Sequence, residues 1–368
     1  MDLLLINFLK LGLKILYAPL KLLKTKNQIV YLSRQSDVQG LDMKMLEDAI
    51  REEYPELVQV SRLNTIGDGF VAKLKYCATL ICDMYYLATS KVAIVDTYSI
   101  PVSCLKHKKD LKVVQMWHAL GAIKKFGLQA VGTKEGRDEK VSRAMCMHKN
   151  YDYVIAPSAQ TAKFYMEAFG VDESKIKLCP LPRVDFLTDG NSKASEFFYA
   201  NPAAGQKKLV LYLPTFRDRE SYITEMLKTE FEDKEEYQFI ISTHPLSKTK
   251  PDERFVPNGD FTTEDLIKLA DIVITDYSAC AFEAALLMKQ LYFFVPDYAE
   301  YIEDRGINID LKAELPNAAF EDAGKLFEAI DNNAYDMDSL FAFKEKYIGT
   351  TKNNAATLAK FIVMLVKE

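Results

Sequence analysis

The stretch Asp271–Lys289, DIVITDYSACAFEAALLMK, begins with the apolar β-branched run Ile272-Val273-Ile274 and ends in a run free of Gly and Pro. The first part predicts a buried strand and the second a helix, with Asp276-Tyr277-Ser278 at the turn between them. A strand that passes through a short turn into a helix is the repeating unit of a parallel α/β sheet. The same alternation surrounds it. Strands are expected near Lys208–Leu213, Tyr237–Ser242 and Leu291–Val295, with helices near Thr263–Ala270, Ser278–Met288 and Ala323–Asn332.

The N-terminal half repeats the pattern. Gln28–Leu32, Val58–Ser61, Val92–Val95, Lys112–Met116, Tyr153–Ala156 and Lys175–Cys179 read as strands. Leu41–Glu53, Lys73–Thr89 and Lys140–Asn150 read as helices, and Ser158 is an N-cap for a further helix that Gly170 ends. Asp189–Gln206, rich in Gly, Asn, Ser and Ala, marks a boundary. The expected architecture is α/β and GT-B-like, with two doubly wound Rossmann-like domains facing a cleft. Residues 27–190 form the first domain and 205–335 the second, with helices over 336–368. A chain of 368 residues is long enough for two such cores.

The formal net charge of −5 argues against a general nucleic-acid binder. Its six cysteines lack CxxC pairs and its four histidines are far apart, so no metal site is expected and the thiols read as reduced. Residues 1–26 differ from the rest. Five lysines against Asp2 give them +4 and leave −9 for the remaining chain. Asn7, Lys10, Lys14, Tyr17, Lys21 and Lys24 lie 3, 4, 3, 4 and 3 residues apart, a narrow polar stripe on an otherwise apolar helix that Pro19 is expected to bend or split. Lysines interrupt any spanning window, and the segment lacks the layout of a secretory signal. Two readings remain: a basic amphipathic helix on the cytoplasmic surface of an anionic membrane, with Lys10, Lys14, Lys21 and Lys24 as its contacts, or a helix that covers another part of the protein.

Candidate chemistry collects where strands end. Trp117-His118, holding the single tryptophan and one of the histidines, follows the Lys112 strand. His118 suits a base near neutral pH, or else caps a turn beside a packing tryptophan. Thr215 and Arg217 follow the Lys208 strand and suit a phosphate oxygen, though Arg217-Asp218 also reads as a surface ion pair. His244 ends the next strand, and Arg305 follows the last. Asp276 and Ser278 stand at a helix start where an anion fits, although Ser278 is equally an ordinary N-cap. Glu283 either reaches a ribose or faces solvent.

In order, WHALGAIKKFG, LYLPTFRD, STHP, ADIVITDYSACAFEAALL and PDYAEYIEDRG resemble the CDP-glycerol glycerophosphotransferase family of teichoic acid biosynthesis, over roughly residues 90–310. The resemblance implies a GT-B-like fold held peripherally on the cytoplasmic face of the membrane. It implies transfer of glycerol or ribitol phosphate from a CDP-linked donor to a polyprenol-linked acceptor with release of CMP, and no cofactor. It makes His118 the base and sets His244 near the donor diphosphate. Thr215, Arg217, Asp276, Ser278, Glu283 and Arg305 fall to the donor, and Gly121 and Lys124 to the acceptor side. A nucleotide-sugar glycosyltransferase and a catalytically silent membrane scaffold are the alternatives.

Overall fold

The computed structural model describes residues 3–65, 69–215, 220–232, 234–242, 259–349 and 351–368. It divides into two compact units. The first comprises Met1–Ala119, Lys125–Asp185 and Thr350–Glu368, and the second Leu120–Lys124 and Phe186–Gly349.

In the first unit, β1 (Lys26–Ser33), β2 (Val58–Leu63), β3 (Ser90–Val95), β4 (Lys112–Gln115), β5 (Tyr153–Ala156) and β6 (Ile176–Leu178) form a parallel sheet ordered β2-β1-β3-β4-β5-β6. Helices cover both faces of such a sheet, so its inner strands are apolar without alternation. Ile29, Val30 and Tyr31 of β1 and Val92–Val95 of β3 are accordingly buried, while the edge strands β2 and β6 are only partly so. The chain goes from β1 outward to β2 and returns to lay β3 on the other flank of β1. The strand order therefore reverses between β1 and β3. Ser158 caps the Ala159–Phe169 helix through Thr161 N–H, and Gly170 ends it at φ +62°.

The second unit repeats the plan. β7 (Lys208–Leu213), β8 (Tyr237–Ile241), β9 (Ile272–Thr275), β10 (Gln290–Phe294) and β11 (Ala319–Phe320) lie parallel in the order β11-β10-β9-β7-β8. Here the order reverses between β7 and β9. Crevices at such reversals, outside the C-terminal ends of the strands, are where open α/β sheets bind ligands.

Four expectations change. The Asp189–Gln206 stretch holds a helix, Ala194–Ala200, seated by buried Phe197, and the units divide earlier, at Asp185. Helix stops at Ala144 rather than Asn150, because Cys146, His148 and Asn150 all take positive φ. Asn150 uses that turn to donate from its amide to the carbonyls of Val102, Ser103 and Leu105. Pro19 sits in the last turn of the continuous Leu3–Leu20 helix and does not split it. The C-terminal helices separate: Met337–Tyr347 belongs to the second unit and Asn354–Lys367 to the first.

That last helix is fastened by a polar contact in an apolar seat. Buried Asn354 donates from Nδ2 to Asp185 Oδ1 and to the Thr351 carbonyl, both at 2.8 Å, and Asp185 Oδ2 accepts the Ala355 N–H at 2.9 Å. Asn354→Ala strands part of the Asp185 carboxylate without its donor, so it should cost about 1–3 kcal/mol. Chemical denaturation should show the midpoint lowered with an unchanged slope.

Candidate active site

The reversal point of the first sheet carries a linked set of polar groups. Ser33 ends β1 and its Oγ donates to Asp96 Oδ2 at 2.8 Å, directly across the reversal. Asp96 follows β3 and is buried. Its backbone carbonyl lies 2.8 Å from His118 Nδ1. A carbonyl only accepts, so this contact puts the proton on Nδ1 and leaves Nε2 as the lone-pair nitrogen. The half-buried imidazole is thus oriented and held in the tautomer a general base needs.

The turn that carries His118 is held from several sides. Trp117 sits at φ +61°, a left-handed conformation that costs a bulky residue about 1–2 kcal/mol. Fully buried Gln115 accepts the Trp117 N–H at 2.9 Å and donates to the Thr97 carbonyl at 3.3 Å. The indole stacks on Phe126, with centroids 4.6 Å apart, and meets the edge of Phe169. Arg183 donates to the His118 carbonyl at 3.0 Å, and Tyr165 Oη to the Ala119 carbonyl at 2.9 Å. Arg183 is itself locked by buried Asp42, which accepts its backbone N–H at 2.8 Å and its Nε at 2.7 Å. Trp117 packs as the sequence suggests, and the His118 ring is oriented by the Asp96 carbonyl.

Asp96, Ser33, Gln115, Asp42 and Arg183 were not singled out from the sequence. The signal available was position: Ser33 ends one strand, and Asp96 directly follows another. Arg34, next to Ser33, donates to the Tyr98 carbonyl at 2.9 Å while its Nε is buried without a partner. Asp96 Oδ1 is also buried without one. Burial pushes the Asp96 carboxyl up to about 6, with a smaller push from the Asp42 charge, against the pull of the Ser33 hydroxyl.

The second unit uses the same device at its own reversal point. Asp276 directly follows β9 and is fully buried, and it accepts Thr215 N–H at 3.0 Å, Thr215 Oγ at 2.6 Å and Tyr277 N–H at 2.6 Å. Asp276 is therefore a fastener that sets Thr215 beyond the end of β7, and its carboxylate faces protein donors rather than a phosphate. Tyr277 stacks face to face on Tyr301 at 3.6 Å and donates to Asp297 at 3.2 Å. Ser278 precedes the Cys280–Leu286 helix, and its Oγ lies 3.4 Å from the Cys280 N–H. Glu283 is buried within that helix, which removes the solvent-facing alternative. Arg217 and His244 lie outside the described residues.

Gly121 and Lys124, expected on the acceptor side, belong to the second unit. The Lys124 backbone bridges Ile307, Asn308 N–H donates to the Ile123 carbonyl at 2.6 Å, and the Asn308 amide reaches the carbonyls of Ala122 and Lys124. A Cβ on Gly121 would come 2.5 Å from the buried Phe282 ring, so only glycine lets this segment lie down. Arg305 ends the Tyr298–Asp304 helix immediately before this tie, its N–H bonded to the Tyr301 carbonyl at 2.9 Å.

The N-terminal helix also reads differently in place. Ile6 and Tyr17 are buried, and Lys10 Nζ donates to the Ala144 carbonyl and lies 3.3 Å from Cys146 Sγ. Lys10 therefore turns inward and anchors the helix to the protein. Tyr17 Oη pairs with His107 Nδ1 at 2.9 Å, and Lys21 lies over the Tyr17 ring. The opposite face is apolar and bare, with Leu4 77%, Phe8 72% and Ile15 64% exposed. By length and composition alone, this 18-residue helix is also apolar enough to cross a membrane. Among the described residues, no group of three or more His, Cys, Asp or Glu side chains could hold a metal ion.

Comparison with known proteins gives this geometry its context. Solved structures of the wall teichoic acid polymerase TagF share the fold: one superposes with a TM-score of 0.72 at 18% identity, covering 98% of this chain and 94% of that one. Two doubly wound parallel units thus make this a GT-B fold. Residues 16–363 match the CDP-glycerol:poly(glycerophosphate) glycerophosphotransferase family, and the chain belongs to it. A teichoic acid ribitol-phosphate primase of Bacillus spizizenii is 29% identical over 82% of this chain and 84% of its own length. A teichoic acid glycerol-phosphate primase of Bacillus subtilis is 27% identical over 86% and 82%.

The raised Asp96 carboxyl makes a prediction about stability. Its ordinary value is 3.8 and its folded value about 6, so the folded protein holds a proton there that the unfolded chain has released. The stability linked to that proton is fully present below pH ~3.8 and is lost as pH rises through ~6, up to about 3 kcal/mol in all. Asp96→Asn should therefore unfold at the same or higher temperature than wild type at neutral pH. Melting curves between pH 4 and 7 should show its pH dependence flattened. A variant less stable than wild type at pH 7 and equal to it at pH 4 would contradict the assignment.

Proposed function

We propose that this chain transfers glycerol phosphate or ribitol phosphate from a CDP-linked donor to an acceptor hydroxyl in teichoic acid synthesis, with His118 as the base. The acceptor oxygen attacks the β-phosphorus of the donor, the bond from that phosphorus to the bridging oxygen breaks, and CMP leaves. The acceptor proton passes to His118 Nε2. The observation that carries the base assignment is the Nδ1 contact to the Asp96 carbonyl, at the reversal point where such sheets bind ligands. Arg183, locked by Asp42, and the Gln115-held turn keep the ring aimed, so little reorganisation is needed when the proton moves.

On the donor side, Thr215, Ser278 and Arg305, with Arg217 and His244, take the diphosphate and stabilise charge on departing CMP. Asp276 serves this by fixing Thr215. The acceptor is a polyprenol-linked lipid, and the bare apolar face of the Leu3–Leu20 helix holds the enzyme on the cytoplasmic surface of the membrane. Family membership favours polyol phosphate transfer over sugar transfer from a nucleotide sugar and over a scaffold without activity.

Purified protein incubated with CDP-glycerol or CDP-ribitol and lipid-linked acceptors should release CMP and form a new phosphodiester, read by mass spectrometry. His118→Ala should lower CMP release by about 10²–10⁴-fold. The same variant should keep its thermal stabilisation by CDP-glycerol, because the donor binds elsewhere. Wild-type turnover in that variant would remove the base assignment, and nucleoside diphosphate as the released product would remove the reaction.

A further inference from the structure

A second basic feature lies at the edge of the first sheet opposite His118. Leu111, Asp152 and Lys175 directly precede β4, β5 and β6, so a groove lined by them opens at the N-terminal ends of these strands. Its volume is about 510 Å³. Lys14, Lys106, Lys108, Lys109 and Lys175 line it, with Asp152 as the acidic lining residue. That carboxylate is already committed, accepting the Val113 N–H at 2.7 Å. Lys175 and Lys108 are also partly committed, to the Tyr151 carbonyl and to the Leu23 carbonyl with Thr25. Among the described residues, no acceptor takes up Nζ of Lys14, Lys106 or Lys109. Like charges crowded into one concave surface repel each other and concentrate a positive field there, and a bound anion relieves both.

The groove is built rather than incidental. Its wall, the loop after Cys104, is shaped by Asn150 and by His107, whose Nε2 donates to the Val102 carbonyl at 2.8 Å and whose Nδ1 accepts from Tyr17 of the Leu3–Leu20 helix. The helix thereby brings Lys14 to the rim. The same helix turns its bare apolar face outward, and Leu22, beyond its end, is 88% exposed. Ammonium groups beside an exposed apolar surface match the layering of a bilayer, where phosphates lie just outside the hydrocarbon.

We propose that this groove binds the phosphate of an anionic phospholipid headgroup, separately from the catalytic site. This rests on the reading that the Leu3–Leu20 helix lies on a bilayer. The test is sedimentation of the full chain with phosphatidylcholine vesicles, with and without phosphatidylglycerol. Wild type should prefer the vesicles containing phosphatidylglycerol, and Lys106→Glu combined with Lys109→Glu should cut that preference by about tenfold or more while leaving binding to neutral vesicles in place. Lys352→Glu with Lys360→Glu, an equal charge change at exposed positions elsewhere in the same unit, should keep the preference. A groove variant that keeps the preference, or a control that loses it equally, overturns the groove and leaves the helix reading standing. Wild type that sediments with neither vesicle overturns both. Inorganic phosphate that abolishes the preference at matched ionic strength overturns the lipid as the source of the anion.

Discussion

A carboxylate placed just past a strand end, where the sheet reverses its order, organises each half of this protein. Asp96 and Asp276 occupy equivalent places: each directly follows the strand laid down on the return, and each accepts from a hydroxyl at the end of the strand beside it. A buried carboxylate is expensive unless donors surround it, so the loops after these strands are shaped around supplying them. In the second unit the supply is generous, since two backbone N–H groups and a hydroxyl converge on Asp276. In the first unit it is lean. Ser33 reaches one oxygen, the other is buried without a partner, and the backbone of the same residue orients His118. One aspartate is completed as structure, while the other leaves part of its environment under tension beside the proposed base.

The left-handed Trp117 belongs to the same design. A tryptophan at φ +61° persists only where its surroundings over-determine it. Gln115, Phe126, Phe169 and the Asp42–Arg183 pair do so from different elements. The strain is local, and what it achieves is direction: the turn carries the imidazole back toward the Asp96 carbonyl instead of along β4.

Much of this was legible in the sequence because both sheets are made of β-branched runs separated by amphipathic helices, and that periodicity survives any tertiary context. Leu41–Glu53 and Lys208–Leu213 match their predicted bounds for this reason. His118, Thr215 and Ser278 were legible as polar residues at strand ends. What the pattern does not carry is which polar group turns inward. Asp276 was expected at the donor and is a fastener, whereas Asp96, which no motif marks, orients the proposed base through its carbonyl. Gly121 and Lys124 read as neighbours of His118 in sequence, yet the close approach to Phe282 and the bond to Asn308 place them in the other unit. The inward turn of Lys10 was not legible either, since periodicity identifies a stripe but not the side of the helix that meets the protein.

The N-terminal helix turns its polar groups toward the protein and its leucines away from it, which has a practical consequence for handling the molecule. Trimming such a segment is the usual route to a tractable preparation. Here the cut would bare the seats of Ile6 and Tyr17, take away the hydroxyl that fills His107 Nδ1, and leave the Ala144 carbonyl without its ammonium donor. A shortened protein would exchange one greasy surface for a raw one. The intact chain in a detergent micelle, which clothes the leucines and leaves the inner seat closed, is the better-matched sample.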